Sequence, residues 1–261
     1  MVPLFYRLLL LCILLLGSQG LEAQNTAAFP SIFQGLEIPT KEVSALVLEE
    51  RLSQWLESLK DRPGLLAASS DPLLEALETK GYFKAASFLS QQLLQQERCS
   101  FSRATQRKLT HYSIVEEGQP APLFSLKHPA AIRLHFPENS VNQILERAPK
   151  TLVLFWSSSC SHCQSELPRL AALQSQLEGQ QIALLSISLD TDKGMYLDTA
   201  RQYAWPHYSD FLGWESPVAQ AFEVFATPSF FLIEQGGRLE KEFLSVAQLK
   251  AYLGLEDPKK S

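Results

Sequence analysis

Leu152, Val153, Leu154, Phe155 and Trp156 are apolar without a break, and three serines later the chain reads Cys160, Ser161, His162, Cys163. A run that is hydrophobic at every position is expected of a strand covered on both faces, in the middle of a sheet with helices on either side. Residues 161–177 are expected to form a helix, so the two thiols stand where a buried strand gives way to a helix. The amino end of a helix carries partial positive charge, which lowers the pKa of the first thiol and makes it a nucleophile at neutral pH. Two sulfurs with two residues between them can pass between dithiol and disulfide while the backbone hardly moves. The pair reads as a reaction centre before anything else.

Of the four cysteines, Cys12 lies in an apolar run near the amino terminus, which leaves Cys99, Cys160 and Cys163. Loop-closure stabilisation grows with the length of the loop, and the loop between Cys160 and Cys163 is almost the shortest possible. Such a bond staples little, which favours redox work. Zinc also uses paired cysteines but needs further ligands, and His111, His128, His135 and His207 are scattered singly. No metal site is expected. Cys99 is expected to be a free, half-buried thiol.

Residues 8–16 are nine apolar positions in a row, preceded by Arg7 and followed by Gly17, Ser18 and Gly20. A membrane-spanning helix needs ~20 such residues. The segment therefore reads as a cleaved export signal over residues 1–23, with Gln24 as the expected mature start, rather than as a retained anchor. Leu11 stands before Cys12 where a lipid-attachment site would have a small residue, so no lipid is expected there. The formal net charge of −5 arises from interspersed residues, 28 acidic against 23 basic. That leaves no basic footprint for nucleic acid and no polybasic membrane-binding segment.

Residues 24–36 are small and polar and read as a flexible leader. Beyond them Val43, Leu46, Val47, Leu52, Trp55, Leu56 and Leu59 recur at spacings of three and four, a helical face over residues 39–59. Pro63 and Gly64 are expected to break the pattern, and Asp71 and Pro72 to cap and begin a second helix that ends near Gly81. A third helix is expected over residues 83–97. Residues 37–112 thus read as a small all-helical domain of unknown role. Gly118, Gln119, Pro120, Ala121 and Pro122 mark a change of pattern, and over residues 113–261 strands and helices alternate. Strands are expected at 123–126, 132–136, 151–156, 182–189, 229–233 and 239–243. Helices are expected at 138–147, 161–177, 193–203, 217–222 and 246–253. The fold class is α/β: a mixed central sheet with helices on both faces, preceded by the helical domain.

Residues from about 118 to 255 resemble the thioredoxin fold, and most closely the exported TlpA/ResA-like thiol-disulfide oxidoreductases of the redoxin superfamily. Residues 118–126 resemble the amino-terminal hairpin of that family, and residues 155–163 its active-site segment. Glu166, Leu167 and Pro168 follow at the family spacing. Ala226, Thr227 and Pro228 precede a strand and the Gly236-Gly237 turn, where the family keeps a cis-proline. The resemblance covers roughly half the chain and says nothing of residues 24–112.

The resemblance implies roles. Cys160 would attack, and Cys163, one helical turn on, would be buried and resolve the mixed disulfide, so that the redox-active disulfide is Cys160–Cys163. Glu166 would sit near the thiols and handle a proton; the plain alternative is a surface Glu favoured by the amino half of its helix. His162 would stabilise the thiolate and make the protein more oxidising. Trp156 would pack beside the site and, with His162, Thr227 and Pro228, border the substrate. A cis Pro228 would bring the Thr227 backbone beside Cys160, ready to pair with an extended substrate strand, and would keep metal ions off the thiols. No cofactor is implied beyond the redox-active disulfide. The implied partners are cysteine-containing exported proteins and a membrane thiol donor, in the periplasm or cell envelope, with net reduction as the usual direction.

Two other functions share the fold. A peroxiredoxin-like thiol peroxidase wants Thr or Ser three residues before its reactive Cys, which Ser157 supplies, and Pro seven before it, where Val153 stands. A copper-handling module of this kind uses three residues between its cysteines and a distant His, whereas this chain has two.

Overall fold

The computed structural model describes residues 42–136 and 148–257. Expectations for the export signal, the leader and a helix over 138–147 lie outside the described residues. The chain begins with helices α1 (Glu42–Leu59), α2 (Pro63–Lys80), α3 (Phe83–Leu94) and α4 (Arg103–Ile114). It continues as β1 (Ile132–Leu134), β2 (Lys150–Trp156), α5 (Ser161–Gly179), β3 (Ile182–Ser188), α6 (Lys193–Ala200) and β4 (His207–Ser209). A single 3-10 turn (Gly213–Glu215) leads into α7 (Pro217–Ala221), β5 (Ser229–Glu234), β6 (Leu239–Phe243) and α8 (Val246–Leu253).

The helical region is held by its own apolar centre. Leu48, Leu52 and Trp55 of α1 meet Leu66, Leu73, Leu74 and Leu77 of α2 and Phe83, Ala86, Leu89 and Leu93 of α3, with Leu109 and Tyr112 of α4 closing the cluster. The first helix does break off just before Pro63, over residues 60–62, and Pro63 starts α2, where its missing N–H is no loss; Pro72, expected to begin the second helix, lies inside it. An interior proline costs about 3 kcal/mol. Each fully buried leucine returns about 1.5–3 kcal/mol, and the leucines on either side of Pro72 are fully buried, so the helix runs on. It stops at Gly81, whose φ of 73° is left-handed and whose N–H reaches back to Glu78. Helix α4 was not expected. Its buried positions are Thr105, Leu109, His111 and Tyr112, too polar a set to show as a hydrophobic stripe, although its cap is a plain one: Ser102 Oγ accepts the Thr105 N–H at 3.0 Å.

The sheet has the order β1-β4-β3-β2-β5-β6. Strands β2, β3 and β4 run parallel, and β1, β5 and β6 are antiparallel to their neighbours. Alternation along β2 explains why its sequence is apolar throughout. Leu152, Leu154 and Trp156 face a layer built from α5, α6 and α8, including Leu167, Leu170, Tyr196 and Leu249. Val153 and Phe155 face the opposite layer, with Phe222, Phe231, Val218 and Leu126. The expected strand at 123–126 is absent. Gly118, Gln119 and Ala121 exchange backbone hydrogen bonds with Gly237 and Leu239, but Pro120 and Pro122 have no N–H to extend the ladder, and the chain continues as coil.

Candidate active site

Cys160 is the N-cap of α5, and its sulfur accepts the Cys163 N–H at 3.2 Å. The turn that delivers it from β2 is held by one carboxylate. Asp190, at the end of β3, accepts from the Ser157 hydroxyl (2.8 Å), the Ser158 amide (2.9 Å), the Ser158 hydroxyl (2.8 Å) and the Ser188 hydroxyl (2.7 Å). Asp190 is buried, so these donors replace the water its charge gives up. Sequence reading missed Asp190 and the serines. Their signal was the position of Asp190 just past the carboxyl end of an apolar strand, where open α/β sheets place their sites.

On the other side of Cys160 the chain returns through Ala226 and Thr227 to Pro228, and the Thr227-Pro228 peptide is cis. The Cys160 thiol donates to the Thr227 carbonyl at 3.2 Å. Both cysteines are free, Cys160 half-buried and Cys163 buried, so the structure is that of the dithiol.

The two sulfurs differ in acidity. Partial burial opposes ionisation of Cys160, but the Cys163 thiol, the Thr227 side chain and the amides of Cys163 and His162 outweigh it, and its pKa moves below 9.0. Burial pushes Cys163 up to about 12, helped by the neighbouring Cys160 sulfur. At neutral pH the proton therefore stays on the inner sulfur. A nucleophile at the surface and a protonated partner beneath it are arranged for sequential attack.

The remaining expected residues divide. His162 is exposed, and what it presents to Cys160 is its backbone N–H. Glu166 is buried rather than on the surface: its carboxylate accepts the Val246 N–H at the start of α8 and pairs with Arg169 at 2.8 Å. One oxygen thus joins α5 to α8, and the other is paired within α5. Trp156 is fully buried and cannot border a substrate. Its indole N–H donates to Ser186 Oγ at 3.2 Å, Ser186 Oγ lies 2.6 Å from His207 Nδ1, and His207 Nε2 lies 3.3 Å from the Tyr203 carbonyl. That chain fixes the hydrogens: Nε2–H of His207 faces the carbonyl, and the Ser186 hydroxyl donates to Nδ1. Thr227 is partly exposed and Pro228 buried. Among the described residues, no group of three or more His, Cys, Asp or Glu could hold a metal ion, and no helix is long and apolar enough to cross a membrane.

Comparison with known proteins bears on the fold. Residues 150–239 match a family model described as thioredoxin-like. No curated protein sequence matches the chain. Among solved structures, a thioredoxin-like protein from Bacteroides caccae is similar over 80% of this chain and 77% of its own, with a TM-score of 0.56 and 14% identity. The C-terminal domain of a putative thiol-disulfide oxidoreductase from Bacteroides thetaiotaomicron is 26% identical, covering 53% of this chain and 94% of its own, with a TM-score of 0.43. StoA from Bacillus subtilis is 22% identical over 40% of this chain and 82% of its own, with a TM-score of 0.35. The C-terminal part of this chain, matched over residues 150–239, is a thioredoxin-like domain.

Proposed function

We propose that the protein is an exported thiol-disulfide oxidoreductase that reduces disulfides in other proteins through Cys160 and Cys163. The observation that carries this reading is the unequal pair: an N-capping thiol with its pKa lowered, one helical turn from a buried thiol held near 12. In the proposed cycle the Cys160 thiolate attacks one sulfur of a substrate disulfide, and the other substrate sulfur leaves as a thiolate. Cys163 then loses its proton, which ends on the departing sulfur, and attacks Cys160. The sulfur that left first takes a proton from solvent, so the substrate is released as a dithiol, two electrons richer, and the protein keeps the Cys160–Cys163 disulfide.

The exchange needs no bound cofactor, since the two sulfurs hold the electron pair, but it needs a donor to restore the dithiol. A thiol donor at the membrane suits an exported protein, and the apolar run over residues 8–16 supports export. Thr227, beside Cys160 and partly exposed, offers backbone groups to an extended substrate segment.

The test is covalent trapping. Cys163→Ser incubated with an oxidised protein should accumulate an adduct through Cys160 that a reductant releases, while Cys160→Ser should give none. Adducts in equal yield from both variants, or from neither, would refute the reading.

A further inference from the structure

A buried imidazole ties the helical region to the segment before the cis-proline. His111 of α4 is fully buried, and its Nδ1 lies 3.0 Å from the Phe222 carbonyl and 3.0 Å from the Glu223 carbonyl. Its Nε2 lies 3.1 Å from both carboxylate oxygens of Glu242, a buried residue of β6. Carbonyl oxygens only accept, so Nδ1 carries a hydrogen. The carboxylate at Nε2 then shares a second one with the ring. Burial alone would push this proton off. The charge and hydrogen bond of Glu242, with the two carbonyls, reverse that and raise the His111 pKa.

What His111 grips is the segment that leads to the cis-proline. Glu223 sits at a φ of 44°, a left-handed conformation that a residue with a Cβ adopts only when its surroundings impose it. Phe225 packs against the rings of His111 at 4.9 Å and Tyr112 at 5.8 Å, and the Lys108 ammonium lies 5.9 Å from its centroid. From Phe225 it is two residues to Thr227. Glu242, on β6, pairs in register with Phe231 of β5, so the imidazole ties the backbone before Pro228 to a side chain of the strand paired with β5.

We propose that His111, paired with Glu242, is a positioning residue of the dithiol site: from the helical region it holds the segment that sets Thr227 against Cys160 and against an incoming substrate strand. This rests on the oxidoreductase reading above. It gives the helical region a task in exchange, as the clamp of the substrate-facing loop. His111→Phe is the telling change: a phenyl ring keeps the contacts with Tyr112 and Phe225 but cannot donate to the Phe222 and Glu223 carbonyls. His111→Phe combined with Glu242→Leu makes the same change without leaving the carboxylate buried and unpaired.

The test compares two rates on the reduced full-length chain: exchange with an extended peptide disulfide, and alkylation of Cys160 by iodoacetamide. Small misplacements of a reacting partner cost up to ~100-fold. His111→Phe and the double variant should therefore slow peptide exchange by about tenfold or more relative to alkylation. Gln248→Ala is the control. It removes hydrogen bonds from α8 to the Glu78 and Thr79 carbonyls of the same helical region, without touching residues 222–228, and should leave the ratio of rates unchanged. If His111→Phe does not fold, the double variant decides alone. An unchanged ratio in the folded variant, or an equal fall in Gln248→Ala, would overturn the proposal. Absence of exchange by the unmodified protein would instead overturn the oxidoreductase reading.

Discussion

The Cys160 sulfur lies 3.2 Å from the carbonyl oxygen of Thr227, and that contact joins two ends of the sheet that the chain reaches at very different times. Cys160 arrives from β2 on a turn pinned by Asp190; Thr227 arrives from α7 on a segment held by the helical region. The reactive sulfur is therefore framed by two separately supported loops, and substitutions in either support should be separable in their effects.

Asp190→Asn tests the first support. An asparagine cannot accept from all of the serine hydroxyls and the Ser158 amide that the carboxylate satisfies. Hydrogen bonds to a buried charge are worth about 1.5–3 kcal/mol each. We expect a loss of about 3 kcal/mol in chemical denaturation, together with slower alkylation of Cys160 in the folded protein. Unchanged stability would mean that the turn holds itself.

Glu166 is expected to matter for stability and little for proton transfer. Glu166→Ala strands the buried Val246 N–H and removes the pair with Arg169, which should cost about 1–3 kcal/mol. Glu166→Gln keeps an acceptor and should recover most of that. The pH profile of disulfide exchange should be the same in all three proteins; a profile displaced in Glu166→Gln would show that the carboxyl handles a proton after all.

His207 sets an acid limit. Burial holds its pKa down at about 4, against 6.5 for an ordinary imidazole. The unfolded chain takes up this proton below about pH 6.5, the folded chain only near 4. The stability is therefore complete above about 6.5 and drains away as pH falls toward 4. The difference corresponds to on the order of 3 kcal/mol. His207→Gln should flatten the denaturation midpoint between those pH values, and an unaltered acid slope would place the sensitivity elsewhere.

Replacing His162 with Ala should move the reduction potential in the reducing direction, and only modestly. The side chain is exposed, and charges a few ångströms apart in water interact by about 1 kcal/mol, equivalent to no more than about 30 mV. The amide that faces Cys160 remains in the variant. Equilibration with a glutathione buffer gives the number directly; a much larger shift would show that the imidazole lies against the sulfur.

The sequence made the thioredoxin-like part legible because its signals are local. An all-apolar strand, a thiol pair at a helix start and a proline before a second apolar strand each report a position by themselves, and β6 and α8 fall where their residues suggested. Elements defined by long-range contacts were hidden. Strand β4 has three residues and owes its place to pairing with β1 and β3. The strand expected at 123–126 lost its ladder to two prolines. Helix α4 buries a histidine whose partners lie more than a hundred residues away, and no periodicity in α4 announces Glu242. Asp190 was missed for the same reason: three of its four donors come from the turn after another strand, β2.

The proposed exchange requires the ionisation of Cys160 above a protonated Cys163. The direct measurement is site-resolved alkylation of the fully reduced protein, read by mass spectrometry across a range of about pH 5 to 10. The expected result is a Cys160 rate that titrates below the ordinary thiol value of 9.0 while Cys163, held near 12, stays unmodified. Equal labelling of the two sulfurs, or a Cys160 rate that rises only above 9.0, would contradict it.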